Sequence, residues 1–261
     1  MKLGIIMKPE ESAFKFARDN DLSFIEICHN VGRPASDLNS DAIKGYIDKY
    51  GVAVGSVGRW GAQQIDEKGE IIEDELKTVF AMMDKTADMG CDVFVTGVNY
   101  VDAISPYDNL SSAIKYLQTV VDYGKSKGLK VCTNNCDWGG NFVRCPEIWK
   151  YTHGQIKDLG IKYDPSHCIN EGDGRYREEM VEWGHRFYHV HIKGTINLHG
   201  DHIDDPPAGL DMINWGEFMG ILYKLGYDGN LSIEPHSATW RGELGDKGVQ
   251  YTINMMKQLI F

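Results

Sequence analysis

Short apolar runs alternate with longer amphipathic ones along the whole chain. Eight runs, at 3–7, 23–28, 52–57, 92–96, 130–134, 162–164, 188–193 and 231–234, are rich in Val, Ile, Phe or Tyr. Gly, Asn, Asp or Pro bound them, which predicts strands. The intervening stretches carry a helical period. In 71–89, Ile72, Leu76, Val79, Phe80 and Met83 fall on one face, and in 110–123, Ile114, Leu117, Val120 and Val121 do so. Segments 215–225 and 249–259 repeat the pattern. Gly51, Gly90, Gly128, Gly160 and Gly226 each precede a strand, where a glycine ends a helix by taking the left-handed conformation.

Eight strand–helix alternations without a break in composition predict an α/β fold, a (β/α)8 TIM barrel forming a single domain over residues 1–261. An open doubly wound sheet is disfavoured because no Gly-x-Gly-x-x-Gly turn follows the first strand. The one long connection, 194–213, contains Pro206-Pro207 and is expected to be a functional lid rather than slack chain.

Within a strand, neighbouring side chains face opposite ways. In the seventh run, Val190 and Ile192 oppose His189, His191 and Lys193; in the sixth, Ile161 and Tyr163 oppose Lys162 and Asp164; in the eighth, Leu231 and Ile233 oppose Ser232 and Glu234. The apolar set must meet the helices, so the polar set points into the barrel. A charge there is costly unless it is paired or bound to a metal. Four consecutive strands end in Asn134, Asp164, His191 and Glu234, at the mouth where barrel enzymes place their sites. Singly, each reads as a satisfied polar residue at a loop start. Together they point to one divalent metal ion, with Mn2+, Mg2+, Co2+ and Zn2+ all compatible with a mixed oxygen and nitrogen set.

Composition narrows the partners. A formal charge of −11 argues against nucleic acid, which needs a basic surface. No stretch reaches the length of a membrane span, no signal peptide is visible, and the six scattered cysteines read as reduced thiols. The expected location is the cytoplasm. The expected partner is a small-molecule sugar, with a homo-oligomer left open.

At these residues the chain resembles the xylose isomerase-like barrels, specifically the sugar phosphate isomerase/epimerase group. Asp164-Pro165-Ser166-His167 is similar to its Asp-x-x-His after strand six, and His189-Val190-His191-Ile192-Lys193 to its His-x-His-x-Lys strand. Pro207 to Asp211 with Ile213-Asn214-Trp215 resembles its glycine loop, and Ile233-Glu234-Pro235 the end of strand eight. The resemblance implies metal ligands at Asp164, His191 and Glu234, plus a glutamate on strand five. There this chain departs: Asn134-Asn135-Cys136 stands where the family often reads Glu-Asn-His. The departure removes one of the two opposed carboxylates that an epimerase uses to invert a carbon. Asp137 is a candidate replacement.

The resemblance also implies His167 aimed at substrate hydroxyls and Lys193 on a substrate oxygen, both with catalytic roles beside Glu234. Glu26, Trp60 and Trp138 are candidate substrate contacts, whereas Lys162 and His189 read as structural. The leading expectation is a metal-dependent sugar isomerase or epimerase working through an enediolate. A lyase or hydratase that cleaves 3-keto-glycosides by elimination shares its first half-reaction, and a non-catalytic sugar-binding subunit is the third reading.

Overall fold

Strand β1 (Lys2–Ile6) pairs in parallel with β2 (Phe24–Asn30) on one side and, from the far end of the chain, with β10 (Asn230–Ile233) on the other. Between these lie β3 (Ala53–Trp60), β4 (Val93–Thr96), β5 (Lys130–Asn134), β6 (Gly160–Tyr163) and β7 (Phe187–Ile192), each hydrogen-bonded to the next, so eight parallel strands close into the expected barrel. The computed structural model describes residues Met1–Phe261. No helix in it is long and apolar enough to cross a membrane.

The outer helices are α1 (Glu11–Asp19), α2 (Ser40–Tyr50), α3 (Glu73–Asp88), α4 (Pro106–Ser126), α5 (Pro146–Gln155), α6 (Pro165–Glu171), α7 (Tyr176–Trp183), α8 (Trp215–Leu225) and α9 (Gly242–Leu259). Local chemistry starts several of them. Asn39, Ser105 and Asn214 accept the Ala42, Asp108 and Glu217 N–H groups, respectively, satisfying donors that the first turn leaves open. Four of the five expected terminating glycines, Gly51, Gly90, Gly128 and Gly226, have φ between 67 and 75°. The fifth expectation is corrected. Gly160 is the first residue of β6, and a Cβ there would lie 2.1 Å from the Tyr188 ring, so it is needed for close packing inside the barrel rather than for a turn.

Outward strand residues such as Ile25, Val57, Phe94, Val131, Val190 and Leu231 join the helices in one apolar core of 52 buried residues, large enough to carry the stability of the fold. Trp60, Val93, Val95 and Cys132 form a separate small cluster on the inner face. β3 runs three residues past the expected end at 57, so Trp60 is the last strand residue and is buried, not a side chain following the strand. The 194–213 connection is not featureless. It contains a small antiparallel hairpin of β8 (Ile196–Leu198) and β9 (Asp201–Asp204).

Candidate metal centre

The residues at the C-terminal ends of β6, β7 and β10 converge. Asp164 closes β6 and caps α6: its Oδ1 accepts the Ser166 N–H at 2.9 Å and the Ser166 hydroxyl at 2.7 Å. Pro165 at the first helical position needs no acceptor and fixes the entry angle. This local bracket aims the other oxygen, Oδ2, into the barrel, where it is buried and has no hydrogen-bond partner. Around it stand His167 Nε2 at 3.5 Å, His191 Nδ1 at 3.8 Å and Lys162 Nζ at 3.8 Å.

His191 lies between two carboxylates. Its Nδ1 meets Glu234 Oε2 at 2.7 Å on the mouth side, and its Nε2 meets both Glu26 oxygens at 2.9 and 3.0 Å beneath. Asp164, His191 and Glu234 thus each offer a ligand atom within 4.8 Å of the others. Burial lowers the His191 imidazole pKa, but Glu26 and the two hydrogen bonds outweigh this and raise it. Burial also raises the Glu234 carboxyl, yet the His191 hydrogen bond and charge, with Lys162 and Lys193 nearby, hold it well below the usual range. Asp164 is lowered against its burial by His167, Lys162 and Lys193.

These residues fit a divalent ion. A fully buried carboxylate oxygen without a donor is expensive, and a cation removes that cost. Glu26 behind His191 is the carboxylate that a metal-bound imidazole needs on its other nitrogen, fixing the tautomer and ring plane.

The other expected site residues fall into two groups. His167 and Lys193 reach the centre. Burial lowers the His167 pKa, but Asp164 and hydrogen bonds to Cys136 and Glu171 push it up to about 10. Lys193 Nζ lies 3.5 Å from Asp205 Oδ2, and Asp164, Glu234 and Asp205 together raise its pKa despite burial. Glu26 does not sit at the mouth. It is completely buried, and its carboxylate is taken up by His189 and His191, so it has no surface to offer a substrate. Asn134 is also committed. Its Oδ1 accepts from the Cys136 N–H at 3.0 Å and the Asn141 amide at 3.3 Å, while its Nδ2 donates to the Thr96 carbonyl at 3.2 Å. That bracket holds the turn after β5. Trp138 is about half exposed beside Gly61 at the rim, whereas the Trp60 ring lies inside, 5.3 Å from Lys162 Nζ.

Further contributors lie outside the expected ligand set. Lys162 is one layer below Asp164, as expected, but its ammonium reaches that carboxylate. Glu171 is four residues past His167 on α6 and holds its Nδ1 at 2.6 Å, a helical spacing that was legible. Asp205 joins the 194–213 connection to the mouth: it meets His202 Nε2 at 2.9 Å and His236 Nδ1 at 3.0 Å, and Ser237 donates to Asp204 at 2.7 Å. This latch ties the connection after β7 to the loop after β10, and no local motif signals it.

A family model described as xylose isomerase-like TIM barrel matches residues 14–259. A sequence comparison with curated proteins gives no match. Among solved structures, a D-tagatose 3-epimerase-like protein is similar at 20% identity and TM-score 0.77, covering 99% of this chain and 98% of that one. The 3-keto-D-glucoside 4-epimerase YcjR of E. coli is similar at 16% identity and TM-score 0.75, with 99% and 98% covered. The IOLI protein, whose structure holds a zinc atom, is similar at 17% identity and TM-score 0.74, with 99% and 96% covered. At these identities the likeness concerns the fold.

Proposed function

Because the chain belongs to the xylose isomerase-like TIM barrel family, we propose that it is a metal-dependent isomerase or epimerase acting on a sugar or sugar derivative. The observation that carries this reading is the buried, unpartnered Asp164 Oδ2 facing His191 and Glu234. In this reading, Asp164 Oδ2, His191 Nδ1 and Glu234 hold one divalent ion, with Mn2+, Mg2+, Co2+ and Zn2+ as candidates. Such an ion supplies Lewis acidity to a carbonyl and its adjacent hydroxyl. Asn134 ligates only by releasing the turn it brackets, so it serves as a positioning residue.

Glu234 is the base in this scheme. Its side chain is 21% exposed, whereas those of Asp164 and His191 are sealed, so its free oxygen can reach a sugar C–H at the mouth. The other oxygen, Oε2, lies 2.7 Å from His191 Nδ1, and an ion between them would take both as ligands and so aim the carboxylate. Lys193 Nζ and His167 Nε2 donate to the substrate oxygens on which charge develops as the proton leaves. Glu234 returns the proton to the neighbouring carbon in isomerisation. Trp138 offers an apolar wall for the sugar ring.

A second reading is favoured by one observation. The strand-five position carries a committed amide instead of a carboxylate, and β-elimination beside a 3-keto group needs only the one base. The same proton abstraction then expels a glycosidic substituent. Proton NMR in D2O, with free aldoses, free ketoses and 3-keto-glycosides offered to the metal-loaded chain, separates the outcomes. Deuterium entry at carbon without cleavage supports the isomerase, and aglycone release supports the lyase. Sugar binding with neither result overturns both.

A further inference from the structure

We propose that Cys136, His167 and Glu171 form a second cation site, suited to a soft divalent ion such as Zn2+, beside the Asp164–His191–Glu234 centre. One ligand atom from each of the three lies within 4.8 Å of the others, and no other cysteine joins such a cluster with His, Asp or Glu. The inference goes beyond the reading above and stands without it.

The chain builds this cluster from two short segments. Cys136 follows β5 by two residues, and its Sγ accepts the Trp138 N–H at 3.4 Å, which turns the sulfur toward α6. His167 and Glu171 lie one helical turn apart on α6. Glu171 is fixed from behind, where the Asp137 N–H meets Oε2 at 3.1 Å and Arg144 Nη1 lies 3.6 Å away. That leaves Oε1 facing the imidazole. Thiolate, imidazole and carboxylate are the donor types that zinc takes in sites with three protein ligands and an open fourth position. Cys136 and Glu171 are only partly buried, so water and an ion have access from the mouth. An ion here uses one nitrogen of His167 and leaves the other for the neighbouring centre. The donor strength absent at Asn134 therefore reappears two residues further on, directed at a different point.

The test is cobalt titration of the chelated, refilled chain. The wild type is expected to show a near-ultraviolet sulfur-to-cobalt charge-transfer band. Cys136→Ser should abolish it and weaken Zn2+ binding by more than ~100-fold, beyond the loss typical when a residue that only supports a ligand is removed. Glu171→Gln should diminish the band with the thiol intact. Glu234→Gln, which removes a ligand from the first centre only, should leave it in place. Far-ultraviolet circular dichroism confirms that each variant is folded. A folded wild type without the band, or a band that survives Cys136→Ser, overturns the second site. A band lost in Glu234→Gln overturns its separateness.

Discussion

The outward faces of β2, β7 and β10 bury Ile25, Ile27, Val190, Ile192, Leu231 and Ile233 against the helices, while the inward faces of the same strands bury Glu26, His189, His191 and Ser232. Both sets are shut away from water, yet they answer to different physics. The outer set stabilises through area and packing, so its members are replaceable by side chains of similar volume. Each inner residue must instead find a counter-charge or donor. Glu26 is paid for by two imidazoles and Lys162 by Asp164 and the Trp60 ring. Hydrogen bonding stops short at several inward atoms, His189 Nδ1 and Ser232 Oγ among them, but Asp164 Oδ2 alone is a carboxylate oxygen, and it faces His191 and Glu234.

The contrast can be broken from either side. Leu117, completely buried in the outer core on α4, is expected to cost about 2–5 kcal/mol when changed to alanine, as a cavity opens among packed neighbours. Chemical denaturation measures that loss, and metal affinity of the folded variant should be unchanged. Glu26→Gln should do the reverse. The shape is nearly kept and the fold persists, but the charge that orients His191 is gone, so metal affinity by calorimetry falls ~10–100-fold. If Leu117→Ala weakened metal binding as strongly as Glu26→Gln, the two cores would not be separable.

Alternation along single strands made much of this legible. It separated Val190 and Ile192 from His189 and His191, and it brought Asp164, His191 and Glu234 to one end of the barrel because strand ends share a mouth. Depth was not legible. How far Glu26 lies below the mouth depends on strand stagger, here with a register shift against β3 between Ile25 and Glu26, and period two carries no such information. Asn134 looked like a ligand because its position is right, but its amide is captured by Cys136 and Asn141 of its own turn. The Asp205 latch joins residues 31 apart in sequence across two loops, a contact that exists only once the barrel has closed.

Asp164→Asn tests the central claim most directly. Asparagine caps a helix as well as aspartate, so the Ser166 bracket and α6 are retained, while the oxygen aimed into the barrel becomes an amide group without a lone pair to give. Calorimetric titration of Mn2+ into the folded wild type and this variant should show binding at the Asp164–His191–Glu234 centre in the first and none there in the second. Equal Mn2+ affinity in both proteins would contradict the assignment of that centre.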